Sequence, residues 1–244
     1  MNHLGMKQPK ILIGCPTYKG KEYALEKYLV MIKSLGYKNS DLLLIDNSDD
    51  DSYYKKLKSK GIDVVRIKKS NDFRQTVAQS RNILRKRVLD NGYDYLFSLE
   101  QDLNSPSKDA LSRLLSHNKK VISGIYFKKW DIKNKSGEII KKGHMVPLAF
   151  PFNEKDMNKM QMILDNSVLD KIKGLIKIRS AGLGCCLIHR DVLEKVKFRT
   201  EPGKNSWDDV YFFTDVYSKG FDAWADPAVR FQHDESSDLK RKSA

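Results

Sequence analysis

Residues 95–102, Tyr-Leu-Phe-Ser-Leu-Glu-Gln-Asp, decide how the rest of the chain is read. The first five make an apolar run of strand length, and the run stops abruptly at a polar, acidic cluster. A strand apolar at consecutive positions is one covered on both faces, as in a parallel sheet flanked by helices.

Upstream of this stretch the same rhythm repeats. Ile11-Leu12-Ile13 reads as a buried strand ending at Gly14, Cys15 and Pro16, and residues 22–35 place Leu25, Tyr28, Leu29 and Ile32 at helical spacing. Leu42-Leu43-Leu44-Ile45 follows as a strand closed by Asp46-Asn47-Ser48. A lysine-rich helix, the strand Val64-Val65-Arg66-Ile67 and a long helix from about Phe73 to Leu89 lead back to Tyr95. Downstream, Ser105-Pro106 starts a helix with Pro in its first turn, and Val121-Ile122-Ser123-Gly124-Ile125 is a fifth strand. Strand alternating with helix implies an α/β fold with a mainly parallel sheet and helices on both faces.

After about residue 127 the rhythm changes. Residues 128–180 read as an irregular insertion, or a hairpin with a short helix, in which Met157, Met160 and Met162 form either an apolar wall or core. Gly184-Cys185-Cys186-Leu187-Ile188 is a strand leading into a helix at Asp191; Trp207 to Lys219 is a helix ended by Gly220; Ala228-Val229-Arg230-Phe231 is the last strand. The expected organisation is a flexible N-terminus over 1–8, one domain over 9–234 and a basic tail over 235–244. Within the domain a first half, about 9–126, is distinguished from a second, about 127–234.

The 244 residues suffice for one large domain, and 40% hydrophobic with 31% charged residues excludes disordered, collagen-like and coiled-coil classes. No uncharged apolar stretch approaches the roughly 18 residues of a spanning helix, and the first residues lack the apolar region of a secretory signal. Cys15, Cys185 and Cys186 make no disulfide framework and carry no two-residue metal spacing, so the expected location is the reducing cytoplasm. The 45 Lys and Arg against 31 Asp and Glu leave +14, which favours an anionic partner: nucleic acid, acidic lipid or a phosphate-bearing small molecule. The run Lys55, Lys56, Lys58, Lys60, Lys68 and Lys69 is better explained as a solvated helix face and its flanks than as a binding surface.

In an open parallel sheet, ligands collect beyond the carboxyl ends of the strands. That rule selects Pro16-Thr17-Tyr18, Asp46-Asn47-Ser48 and Glu100-Gln101-Asp102. Clustered carboxylates repel unless a cation or a proton separates them, so acids gathered at one sheet edge point to a divalent metal ion or to proton transfer. Mg²⁺ and Mn²⁺ take oxygen donors and share them with substrate phosphates. The bland alternative is that Asp46 and Asp102 only cap turns and helices.

The succession Cys15-Pro16-Thr17-Tyr18, Asp46-Asn47-Ser48, Arg81-Asn82, Glu100-Gln101-Asp102, Gly182-Leu183-Gly184, Asp208-Asp209 and His233 resembles a GT-A glycosyltransferase of the broad family 2 type, over roughly residues 9–234. The resemblance implies that Pro16, Thr17 and Tyr18 line a nucleotide pocket, that Asp46, with Asn47 beside it, receives the base, and that Arg81 lies near the base or diphosphate. It implies that Glu100-Gln101-Asp102 stands at the DXD position, Asp102 being the ligand of a Mn²⁺ or Mg²⁺ ion. Glu in first place departs from the pattern, which assigns Glu100 to ribose or to the outer surroundings of the metal. Gly182 would let backbone approach the sugars, Asp209 would be the general base with Asp208 its neighbour, and His233 a further metal ligand. Each also has a plainer reading: Arg81 a surface arginine, Gly182 a strand turn, Asp208 and Asp209 helix-start acids, His233 a packing residue.

The implied reaction moves a sugar from a nucleoside-diphosphate sugar of UDP or GDP type to a glycan, lipid-linked or small-molecule hydroxyl acceptor, with inversion if Asp209 is the base. The basic surface allows peripheral membrane contact. Two other classes compete. A nucleic-acid-binding protein or metal-dependent nuclease would use the charge and stack bases on Tyr18, Tyr23, Tyr28, Tyr53 and Tyr54. A nucleotidyltransferase would want a Gly-rich phosphate loop where this chain has Cys-Pro-Thr-Tyr; the resemblance favours no nucleic-acid partner.

Overall fold

In the first strand, β1 (Ile11–Thr17), side chains alternate between the two faces of the sheet: Ile11, Ile13 and Cys15 join one apolar core and Leu12 the other. Neither face is wet, which is why the run carries no polar alternation. The computed structural model describes residues 8–104, 108–153 and 155–234, leaving aside the side chains of residues 157 and 158. The expected start of a helix at Ser105-Pro106 lies outside the described residues, as do most of the N-terminal segment and the basic tail.

After β1 come a short 3₁₀ helix (Lys19–Ala24), α1 (Leu25–Ser34), β2 (Ser40–Asp46), α2 (Ser52–Ser59), β3 (Asp63–Arg66), α3 (Phe73–Asp90), β4 (Tyr95–Leu99), β5 (Leu103–Asn104) and α4 (Ala110–Ser116). The second half holds β6 (Val121–Lys133), β7 (Ile139–Pro147), β8 (Ala149–Asn153), β9 (Asp156–Met160), α5 (Ser167–Lys171), β10 (Ile176–Ala181), β11 (Cys185–His189), α6 (Arg190–Lys195), α7 (Asp208–Ser218) and β12 (Trp224–His233). The sheet runs β3-β2-β1-β4-β11-β6-β12-β10-β8-β9, with β5 on β12 and β7 on β6.

The expected parallel order holds across β3-β2-β1-β4. Beyond β4 the pairing is mixed: β11 lies antiparallel between β4 and β6, β12 runs parallel to β6, and β10, β8 and β9 continue antiparallel. On one face α1, α2 and α4 supply Leu25, Tyr28, Leu57 and Leu111; on the other α3, α6 and α7 supply Leu84, Leu193 and Phe212. Gly14 leaves room for both β2 and α3, since a Cβ there would sit 2.4 Å from the Leu43 carbonyl oxygen and 2.7 Å from Leu84.

The stretch read as irregular, 128–180, is mostly strand. Strand β6 continues to Lys133 and folds back as β7 through a turn at Gly137, where φ is +88°. The distal arm of this hairpin is largely exposed, Ile139 and Ile140 included, so no face needed an alternating pattern for the sequence to display. Met160 and Met162 are exposed, so neither belongs to the core. No described helix is long and apolar enough to cross a membrane. Cys15, Cys185 and Cys186 are free and buried, and burial pushes the Cys15 and Cys186 thiols up to about 12, which leaves them unreactive.

Candidate functional site

At the carboxyl ends of β1 and β4 the chain opens a cleft of about 370 Å³. Its lining includes Pro16, Thr17, Tyr18 and Asn47, the polar residues Glu100, Asp102 and His233, and Arg81, Asp208 and Asp209. Residues more than two hundred positions apart, Pro16 and His233, therefore share one space, and the topology explains how. Strand β4 delivers Glu100 and Asp102 at its exit. The two-residue β5 pairs with the end of β12, setting His233 opposite Leu103, while the Asp234 amide donates to the Asp102 carbonyl at 2.7 Å.

Glu100, Asp102 and His233 each turn one ligand atom into a group whose members lie within 4.8 Å of one another. Two carboxylate oxygens and an imidazole nitrogen suit Mn²⁺ well and Mg²⁺ acceptably, so this donor set fits the cation that the resemblance implies. Glu100 stands among these donors beside Asp102.

Charges of alternating sign link the metal-type donors to the start of α7. Arg81 Nη1 meets both carboxylate oxygens of Asp208 at 2.7 Å, and its Nη2 lies 3.2 Å from Glu100 Oε1. Lys21 Nζ lies 3.7 Å from Glu100 Oε2 and 2.9 Å from Asp102 Oδ1, and His233 Nε2 is 3.4 Å from Asp102 Oδ2. Arg81 is 5% exposed, so it is no surface arginine. Its guanidinium is committed to two acids, and a role near a diphosphate has to operate with those partners in place. Burial pulls against the charge on Lys21, but Glu100 and Asp102 outweigh it and hold its pKa above the usual lysine value. Burial likewise opposes the charge on Glu100, and Lys21 and Arg81 keep its pKa below the ordinary range.

Asp209 is the exception. It sits in the first turn of α7, where its Oδ1 accepts from the Val210 amide at 2.7 Å, but burial and the neighbouring Asp208 charge raise its pKa to about 6. A carboxylate of that pKa is ionised at neutral pH and basic enough to take a proton from a hydroxyl. Asp208, by contrast, is 1% exposed and neutralised by Arg81, which makes it the brace of the arginine.

Three other sequence-derived residues stand differently from expectation. Gln101 turns away from the cleft: its Oε1 accepts from Thr17 Oγ1 at 2.5 Å and from Tyr53, and its Nε2 donates to the Lys21 carbonyl at 2.6 Å. Gln101 sits in the turn that follows β4, where the Leu103 amide donates to the Glu100 carbonyl at 3.2 Å, and these bonds hold its side chain inside. Gly182 does not line the cleft. A Cβ there would fall 2.0 Å from the Tyr126 hydroxyl, so the glycine makes room for Tyr126 and not for a sugar. Asp46 is wholly buried and is not among the residues lining this cleft; its Oδ1 accepts from the Ser48 amide and hydroxyl, while its Oδ2 has no partner among the described residues. Burial pushes its carboxyl up against the pull of Ser48. The neighbouring Asn47 does reach the cleft.

Sequence reasoning missed Lys21 and the mouth of the cleft. Tyr18, Phe73 and Trp207 form an edge-to-face chain with ring centroids 6.4 and 6.0 Å apart, and Lys128, Lys129 and Trp130 from the β6 arm face the same space. Phe73 and Trp207 stay exposed at helix starts, a placement at odds with a purely structural role and legible in principle from the sequence. The features that favoured nucleic acid weaken. Tyr28 and Tyr53 are buried, and Lys55, Lys56, Lys58, Lys60 and Lys69 pair with Asp51, Glu22, Asp63, Glu26 and Asp49.

No protein-family model matches the sequence, and no curated protein matches it. Among solved structures, the chain is similar to GalNAc-T7 in complex with UDP, GalNAc and Mn²⁺, with 13% identity, a TM-score of 0.60, and 92% of this chain covered against 44% of that one. It is also similar to the mannosyltransferase PcManGT from Pyrobaculum calidifontis in complex with GDP-Man and Mn²⁺, with 14% identity, a TM-score of 0.58, and 93% covered against 57%. The chain spans about half the length of these two proteins. At such identities the likeness establishes the fold, and the fold is GT-A.

Proposed function

We propose that the chain is a metal-dependent glycosyltransferase that moves a sugar from a UDP- or GDP-type donor to a hydroxyl of a glycan, lipid-linked or small-molecule acceptor. The observation that carries this reading is one cleft lined both by a Glu100, Asp102 and His233 donor set and by an aspartate, Asp209, whose pKa is raised to about 6. The GT-A fold supports it, and so do the nucleotide, sugar and Mn²⁺ named with the two similar structures.

In this reading Asp102, His233 and Glu100 hold Mn²⁺ or Mg²⁺, which when bound supplies Lewis-acid neutralisation of the diphosphate leaving group. Pro16, Thr17, Tyr18 and Asn47 form the nucleotide side of the cleft. Asp46 Oδ2, buried and without a partner among the described residues, is the acceptor this reading would offer to the base. Arg81 holds Asp208 and Glu100 in register, so that the donor set and the start of α7 keep their spacing. Asp209 takes the proton from the acceptor hydroxyl, and the attack inverts the anomeric centre. Trp130, Phe73 and Trp207 offer flat apolar faces on which a sugar ring can lie. The halves 9–126 and 127–234 then correspond to donor and acceptor sides of one domain, working in the cytoplasm or against a membrane surface.

The test is release of nucleoside diphosphate from a panel of UDP- and GDP-sugars with Mn²⁺, and the anomeric coupling of the product. Donor turnover that needs the cation, with inverted product, is the expected result. A retained configuration removes Asp209 from the role of base, and stabilisation by oligonucleotide instead of by either diphosphate defeats the transferase reading.

A further inference from the structure

The lysine within the acid cluster has no part in the reading above, yet it occupies the space that reading gives to a cation. Lys21 Nζ lies 2.9 Å from Asp102 Oδ1 and 3.7 Å from Glu100 Oε2. Its main chain is pinned on both sides. The Lys21 amide donates to the Tyr18 carbonyl at 2.8 Å, and the Lys21 carbonyl accepts from Gln101, itself locked by Thr17 and Tyr53. Only the four-carbon stem can move, and the side chain already lines the cleft.

A divalent ion on the same oxygens would stand close to the ammonium, and like charges at such distances repel strongly in a partly desolvated site. Both cannot stay. With the backbone fixed, the ammonium's exit is into the cleft, next to the space where a diphosphate joined to the ion would lie, and there an anion would receive it.

We propose that Lys21 is a displaceable internal cation. It holds Glu100 and Asp102 together while the site lacks metal and yields those oxygens when the ion binds. It then turns to the diphosphate, so that metal and nucleotide each favour the other's binding. The inference rests on the cation reading of this cleft. Its thermodynamic content is a coupling: removing the ammonium should raise affinity for the ion alone and abolish part of the mutual enhancement, since coupling between two ligands is reciprocal.

The experiment is calorimetric titration of Mn²⁺ alone, then of Mn²⁺ with UDP and with GDP, into the wild-type chain and Lys21→Met, which keeps the stem and removes the charge. The expected result is about tenfold tighter binding of Mn²⁺ alone to the variant, within the usual range of such couplings. The nucleotide enhancement in the variant should be smaller than in the wild type. Equal or weaker Mn²⁺ binding by a variant with the wild-type circular dichroism and a cooperative melt overturns the role of Lys21 and leaves the cation reading standing. Absence of Mn²⁺ binding by both proteins overturns the cation reading itself. Should Lys21→Met fail to fold, the wild-type chain decides the matter. Trace acylation of Lys21, read by peptide mass spectrometry against exposed Lys19, should rise several-fold at saturating Mg²⁺, and an unchanged or lower rate counts against the proposal.

Discussion

Replacing Asp209 by Asn should cost activity and add stability. The carboxyl of Asp209 titrates at about 6 against an ordinary 3.8, so the folded chain holds its proton over a pH range in which the unfolded chain has lost it. A raised acid pKa means stability is fully present below the unfolded value and declines as pH rises through the folded one. At about 1.36 kcal/mol per pKa unit, ionising Asp209 in the fold costs roughly 3 kcal/mol at pH 8. Asp209 is partly open to the cleft and water screens some of that, so the net is about 1–3 kcal/mol. Asn keeps an oxygen to accept from the Val210 amide and carries no charge beside Asp208. Urea unfolding should therefore show Asp209→Asn more stable than wild type by about 1–3 kcal/mol at pH 8, with the gain shrinking to about half a kcal/mol or less near pH 4. Loss of a general base should lower turnover by about 10²–10⁴-fold. A variant no more stable at pH 8, or a gain that stays constant down to pH 4, would refute the electrostatic account of this residue.

If the proposed activity holds, kcat/KM of the wild-type chain should rise with pH through about 6 as Asp209 ionises, and a rate profile flat from pH 5 to 8 would deny it the role of base. Arg81→Met should destabilise by about 3–5 kcal/mol in urea, because it leaves Asp208 buried without its partner, and adding Asp208→Asn should recover part of the loss. Gly182→Ala should cost about 1–3 kcal/mol through its collision with Tyr126, and Tyr126→Phe should relieve some of that; no relief would place the strain elsewhere. Asp102→Asn and His233→Ala should each remove the Mn²⁺-dependent rise in melting temperature expected of the wild-type chain, and a rise preserved in both would put the ion elsewhere.

The strands flanked by helices were legible because each carries a mostly apolar run, Leu42 to Ile45 and Tyr95 to Leu99, broken only by Ser98, being the clearest. What the pattern could not reveal is pairing direction. Strand β11 reads like its parallel neighbours because it is equally buried on both faces, yet it enters the sheet antiparallel. The β6–β7 arm left no signature because solvent surrounds most of it. At the site, position after a strand pointed to Asp102 and the family resemblance pointed to Asp209 and His233, and all three line the cleft. Side-chain direction was hidden: Gln101 and Gly182 have suitable positions and face Tyr53 and Tyr126 instead. Lys21 was invisible for a different reason. One lysine among many becomes distinctive only when Gln101 pins its backbone beside two acids.

The most direct measurement of a shared cation-and-nucleotide cleft is anomalous diffraction from crystals grown with Mn²⁺ and UDP or GDP. The account predicts a single strong manganese peak bonded to Asp102 and His233, with the diphosphate on the same ion and Asp209 across the cleft. Manganese bound away from these side chains, or a nucleotide lying outside the cleft, would contradict it.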